Sequence, residues 1–232
     1  MIPQVLDKSK FDPTSGFALM NTIYFKGIWT DKFSSGLTED EVFRDEDGNE
    51  TKVPMMNQKR QFFYSENDLC QAICLPYSNG AYQMIVLLPK GGKKVSEVAQ
   101  WLTADNWEKI YDLMKRVDVD VKLPRFESSS EVELTDVMKA LGMPNAFSMK
   151  KANFSNLFDM ESCIGMIKQV GRIKVDEKGT EATIATLLQG RIAGLPMTPP
   201  DIIRFHAIHP FLYFIREWST GAIFFIGQYM GM

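Results

Sequence analysis

The sequence is poor in the residue types on which most active-site chemistry relies. Its 232 residues include three cysteines and two histidines. Cys70 and Cys74 lie in Leu69-Cys70-Gln71-Ala72-Ile73-Cys74, which alternates as a strand does. Four strand steps set them roughly 13 Å apart, beyond the about 7 Å that a disulfide can bridge. Buried free thiols are the expected state. His206 and His209 would face opposite sides of a strand, a poor geometry for sharing a metal ion. No Gly-x-Gly-x-x-Gly, Walker or Gly-x-Ser-x-Gly pattern occurs, and these are the signatures of phosphate cradles and acyl-transfer nucleophiles. The chain therefore does not read as an enzyme, and neither a metal nor a cofactor is indicated. Charge of one sign is also lacking. With 26 Lys and Arg against 29 Asp and Glu the net charge is −3, without the basic excess that nucleic acid or an anionic membrane surface favours. Long apolar runs are missing as well. The longest, such as Phe211–Ile215 and Ala222–Ile226, have five residues, where a membrane helix needs roughly 20. Met1–Lys8 has neither the basic start nor the apolar stretch of a secretory leader.

What is present is strand pattern with a helical patch in the middle, an α+β composition. Residues 17–28 (FALMNTIYFKGI) are rich in aromatic and branched side chains and read as a long, mostly buried strand. Asp47-Gly48 and Asn79-Gly80 mark hairpins, because glycine readily takes positive φ. The second arm of the latter, Tyr82–Leu88, stops at Pro89, which cannot donate to a ladder. Thr103 can cap a helix whose Trp107, Ile110, Tyr111 and Met114 share a face. Leu134, Val137, Met138 and Leu141 repeat that spacing, with Gly142 as the C′ residue. Residues 117–126 return to strand character, and 211–216 and 222–227 form a closing pair joined by Ser219-Thr220-Gly221.

Two features have plain readings. Asp45, Glu46, Asp47 and Glu50 surround a turn as a solvated face; calcium is the sharper alternative, but the EF-hand spacing is absent. The 14 methionines suit a promiscuous groove, yet Met114, Met138 and Met143 fall within helical core patterns or at their ends. The segment from Gly179 to Pro200 stands apart as small, polar and long. Loops beyond about 12–15 residues are usually functional or disordered. Ile173-Lys174-Val175-Asp176 alternates into it as a strand. Beyond Gly179, Thr180, Ala182, Ile184 and Thr186 would share one face of an extended chain, with Glu181, Thr183 and Ala185 on the other. The residues alone read as a Thr-rich surface linker that nothing prevents from becoming a strand.

Asp176-Glu177-Lys178-Gly179-Thr180-Glu181-Ala182 resembles the proximal hinge of the reactive-centre loop of inhibitory serpins, the serine protease inhibitor family. Asn21–Trp29 with Phe33 is similar to the third strand of the serpin main sheet and the turn beyond it. Leu75-Pro76-Tyr77, Leu88-Pro89-Lys90, Leu123-Pro124-Arg125-Phe126, Leu141-Gly142-Met143, Ala152-Asn153-Phe154-Ser155, His209-Pro210-Phe211-Leu212 and Gly221–Gly227 follow in family order. The likeness runs from about residue 17 to the end.

The resemblance implies a serpin fold, a multi-sheet β core with helices, and a single partial domain over 1–232. Its parts are a main-sheet strand at 17–28, β hairpins at 41–88, helices at about 94–114 and 134–142, a strand at 164–178, the reactive-centre loop at 179–200 and C-terminal strands at 204–227. The family's N-terminal helical part is missing ahead of residue 17, so the chain reads as a C-terminal portion. The implied activity is suicide inhibition. A serine protease, or a cysteine protease, cuts the loop and is held as an acyl-enzyme while the loop inserts into the main sheet. The hinge would comprise Glu177, Lys178, Gly179, Thr180, Glu181, Ala182, Thr183, Ile184, Ala185 and Thr186. Family spacing sets the scissile bond sixteen residues past Glu177, between Ala193 and Gly194, which suits an elastase-like protease. Arg191-Ile192 is a competing register that suits a trypsin-like one. Fifteen residues from Gly179 to Ala193 would span roughly 50 Å as a strand. Thr183 and Ile184 stand where the family prefers alanine, and Gln169 where many members carry histidine. Extracellular or secreted localisation follows from the resemblance only. The alternatives are a non-inhibitory serpin-fold binding protein and an inactive truncated fragment.

Overall fold

The computed structural model describes residues 16–178 and 202–231. They fall into two compact units: Met1–Phe25 with Glu127–Lys174, and Lys26–Phe126 with Val175–Met232.

The first unit is a three-stranded sheet in the order β1-β8-β7, formed by β1 (Gly16–Phe25), β7 (Phe126–Glu133) and β8 (Cys163–Val175). β1 lies parallel to β8, from Gly16 opposite Cys163 to Phe25 opposite Ile173. Ion pairs Lys168–Glu131 and Arg172–Glu127 tie β8 to β7. The β1 strand is shorter than its sequence pattern, because pairing stops at Phe25. A short helix α3 (Thr135–Ala140) follows β7. Gly142, at φ +105°, ends it in the left-handed region that glycine tolerates. The N–H groups of Gly142 and Met143 bond back to Lys139 and Met138, a Schellman closure. Its apolar stripe is not core: Val137, Leu141 and Met143 are exposed. The period is helical, but only Leu134 and Met138 of the stripe are half-buried.

The second unit is an eight-stranded sheet whose path is β11-β10-β5-β4-β3-β6-β9, with β2 paired on β3. The strands are β2 (Glu39–Arg44), β3 (Glu50–Glu66), β4 (Cys70–Tyr77), β5 (Tyr82–Pro89), β6 (Lys115–Pro124), β9 (Ile203–His206), β10 (Phe211–Glu217) and β11 (Ile223–Tyr229). Both Gly-containing turns sit between strands, with Gly48 and Gly80 at positive φ. The acidic turn does more than face water. Asp45 accepts from the backbone N–H groups of Asp47 and Asn49, Glu46 accepts from the N–H of Val95, and Glu50 pairs with Arg44. The helical patch between β5 and β6 is two helices, α1 (Val95–Trp101) and α2 (Ala104–Asp112), broken at Leu102-Thr103. Thr103 caps α2 by accepting from the N–H of Asn106 at 3.3 Å. Together they cover a core of Cys70, Ala72, Cys74, Ile85, Leu87 and Phe214, with Trp107, Tyr111 and Met114 packed on it. The thiols of Cys70 and Cys74 are free and buried, and Cys163 is buried too. Phe43, Phe126, Phe211, Tyr213 and Tyr229 form a second core of rings, with centroids 4.9–5.9 Å apart.

Gly227 is fixed by that second core. It lies opposite Tyr213 on the neighbouring strand, and a Cβ there would meet the phenol ring at 2.3 Å. Since Tyr213 is buried, Gly227→Ala is expected to destabilise the fold by about 1–3 kcal/mol through overpacking. Urea unfolding of the two proteins measures this, and an unchanged midpoint would show that the ring moves freely.

Candidate functional site

The strand-to-loop junction is built from an alternation that outlasts its strand. β8 ends at Val175, yet Val175 and Glu177 are both buried while Lys178 is exposed. Period-2 alternation thus carries a carboxylate inward, where a charge is tolerated only when paired and hydrogen-bonded. Arg125, the residue after β6, supplies the pair: its guanidinium donates to Glu177 Oε1. The Glu177 side chain is 7% exposed and that of Arg125 44%, so the acid is withdrawn while the base reaches it from the surface. Arg125 is itself held by its backbone N–H on the carbonyl of Pro54 at 2.8 Å. Thr38 donates its hydroxyl to the same Oε1 at 2.6 Å. Burial pushes the Glu177 carboxyl up, but the bonds from Arg125 and Thr38 and the Arg125 charge outweigh it and hold the group below the ordinary 4.5.

The backbone is pinned at the same place. Phe33 donates its N–H to the carbonyl of Glu177 at 3.1 Å, and Trp29 its indole N–H to the carbonyl of Asp176 at 2.7 Å. Trp29 is buried and stacks on Tyr77, with centroids 4.2 Å apart and planes 13° from parallel. Its edge meets Phe33 at 6.1 Å. The chain thus leaves β8 through directed bonds from four residues, three in the connection between β1 and β2 and one past the end of β6, with Lys178 facing water.

On the far side of the segment, β9 runs parallel to β6, with Val119 opposite Ile203 and Lys122 opposite His206. Phe205 is fully buried, and Ala207 donates to the carbonyl of Lys122 at 2.9 Å. Both anchors therefore use β6, at Val119–Lys122 and at the residue just past its end. From Val119 to Arg125 the strand covers roughly 20 Å, whereas 23 residues lie between Lys178 and Ile202. The linking chain is several times longer than a direct connection requires.

Of the residues singled out in the sequence, Glu177 and Lys178 are brought to this junction. Gly179, Thr180, Glu181, Ala182, Thr183, Ile184, Ala185 and Thr186, and the bonds Ala193-Gly194 and Arg191-Ile192, lie outside the described residues. Gln169 sits on β8 opposite Asn21. Arg125, Thr38 and the indole of Trp29 have roles that the sequence pattern does not single out. The signal available was indirect: an acid on the inward side of a strand demands a base, and Arg125 follows a strand that ends in proline.

The described residues thus form a β-rich α+β fold in which β8 runs parallel to β1 and the chain leaves it through the bonds at Asp176 and Glu177. The family model Serpin (serine protease inhibitor) matches residues 1–232, and the chain belongs to the serpin family. It is 33% identical over 237 aligned residues to Serpin-Z1C of Triticum aestivum, covering 98% of this chain and 59% of that protein. It is 34% identical to leukocyte elastase inhibitor of Homo sapiens, covering 98% and 62%. Native tengpin, a thermophilic serpin, superposes with a TM-score of 0.85 at 28% identity, over all of this chain and 59% of tengpin. Native protease nexin-1, solved with heparin, gives 0.84 at 28% identity, over 100% and 61%. The chain spans about three-fifths of the length of these relatives. The family is one of protease inhibitors, not catalysts. Among the described residues no helix is long and apolar enough to cross a membrane.

Removing Arg125 strands the Glu177 carboxylate. Arg125→Ala is expected to destabilise by about 1–2 kcal/mol, near the lower range for a bond to a charged group because the arginine is half in water. The pH dependence has a definite sign. A carboxyl held below its unfolded value contributes stability above that value and loses it as the pH falls through the folded one. The advantage of the native protein over Glu177→Gln should be full above about pH 5 and vanish progressively below 4.5. Urea midpoints measured from pH 3 to 7 check it; a constant difference would remove the ion pair from the account.

Proposed function

We propose that the whole protein inhibits serine proteases by offering the segment after Gly179 as bait. Once cut, that segment becomes a strand between β1 and β8. The observation that carries this reading is the direct parallel pairing of β1 with β8, joined to a chain that leaves β8 through the Glu177 anchor. A chain turning back at Gly179 would run antiparallel to β8, and hence to β1. One parallel ladder would be exchanged for two antiparallel ones, the pairing that is slightly more stable per residue. The net gain is one ladder of about ten bonds, each worth about 0.5–1.5 kcal/mol, a driving force of order 10 kcal/mol. Gly179 supplies the reversal, since it lacks a Cβ. Glu181 would lie on the face opposite Thr180, Ala182 and Ile184, away from an interior where a lone charge costs several kcal/mol. The larger Ile184 slows the insertion relative to alanine by crowding.

In this reading the scissile bond is Ala193-Gly194, with Arg191-Ile192 as the competing register. The targets are elastase-like or trypsin-like serine proteases, and a cysteine protease enters only as a secondary target. An extracellular setting belongs to the same proposal; the buried thiols of Cys70 and Cys74 fit either redox compartment.

Incubation of the purified protein with an elastase-like and a trypsin-like protease tests it. The expected product is a denaturant-stable complex of enzyme and inhibitor, with a released peptide starting at Gly194 for the first register or Ile192 for the second. Simple cleavage without a complex, and without a rise in Tm afterwards, would instead support a binding protein whose loop is only a substrate.

A further inference from the structure

On the helix-covered face of the large sheet, α2 does not fill the space above the β3–β4 turn. A cavity of about 160 Å³ remains there, walled by Cys70, Ala72, Trp101, Ile110 and Leu113 with the stem of Lys109. Cys70, Ala72 and Ile110 are buried, and Leu113, largely exposed, stands at the mouth.

The oxygens of Ser65, Glu66 and Asn67 around it have partners. Ser65 donates its hydroxyl to the carbonyl of Ile110 at 2.8 Å. Asn67 Oδ1 accepts from the N–H groups of Leu69 and Cys70, both at 2.8 Å. Glu66 accepts from Lys90 at 2.8 Å and from the Tyr64 hydroxyl at 2.9 Å. Burial pushes the Cys70 thiol up to about 11, which keeps it neutral. The wall therefore offers an entering molecule apolar surface and a polarizable sulfur. Water gains little in such a space, since it needs about 2–4 polar partners. Apolar cavities of about 150 Å³ stay dry and take benzene.

We infer that this cavity is a binding site for a small uncharged aromatic molecule of single-ring size, packed between the Cys70 sulfur and the Trp101 indole. Sulfur and indole both make favourable contacts with ring edges and faces, which selects an aromatic occupant over an aliphatic one. An occupant would tie α2 to β3 and β4 and bind only the folded chain. Binding must then appear as stabilisation that rises with concentration.

Toluene is the probe, with benzoate as its charged counterpart. Toluene at several times its Kd should raise Tm by roughly 2–4 °C and shift Trp101 fluorescence, while benzoate should do neither. Ala72→Leu, which fills the cavity, should abolish the toluene response. Absence of any response to toluene, an equal response in Ala72→Leu, or equal binding of benzoate would each overturn the assignment. If Ala72→Leu does not fold, Cys70→Leu fills the same space, and the toluene–benzoate comparison on the unaltered protein decides independently.

Discussion

A single buried carboxylate organises the junction on which the molecule's behaviour turns. Glu177 points inward because β8's alternation continues past its last paired residue, and an inward acid is tolerated only with a base beside it. That requirement recruits Arg125 from the end of β6 and Thr38 from before β2. Their positions in turn bring Phe33 and Trp29 to the carbonyls of Glu177 and Asp176. The exit of the chain from β8 is thus a point of definite geometry.

In the proposed function the parallel β1–β8 pair is what the junction serves. A parallel ladder is the arrangement into which a returning strand fits with antiparallel partners on both sides. The family is one of protease inhibitors, and the insertion proposed above would use the β1–β8 pair as the place where the sheet gains a strand.

Much of the local structure was legible because its causes are local. Asp47-Gly48 and Asn79-Gly80 turn the chain through glycine's positive φ, and Thr103 caps α2 through a bond spanning three residues. The stripe of Leu134, Val137, Met138 and Leu141 showed the period of α3 but not its exposure, since periodicity identifies a face and not its neighbour. The break at Leu102-Thr103 was half visible, as a cap without a preceding stop. The junction was legible only from one side. Glu177 stood out by resemblance, whereas Arg125 and Thr38 meet it across separations of 52 and 139 residues, and Trp29 meets the neighbouring Asp176 across 147. Nothing in a window of ten residues records such meetings. The division into two units was equally hidden, because one of them joins residues up to Phe25 with Glu127–Lys174.

β6 moors both ends of the stretch from 179 to 201, but by different mechanics. The leading end is held at Glu177 by a clasp whose bonds can open one after another, as a zip opens from its tab. The trailing end is held by β9 lying alongside β6, so a pull along the strand loads all its bonds together and meets far greater resistance. Tension applied between them therefore has a preferred point of failure: the clasp yields first, and the C-terminal strands stay where they are.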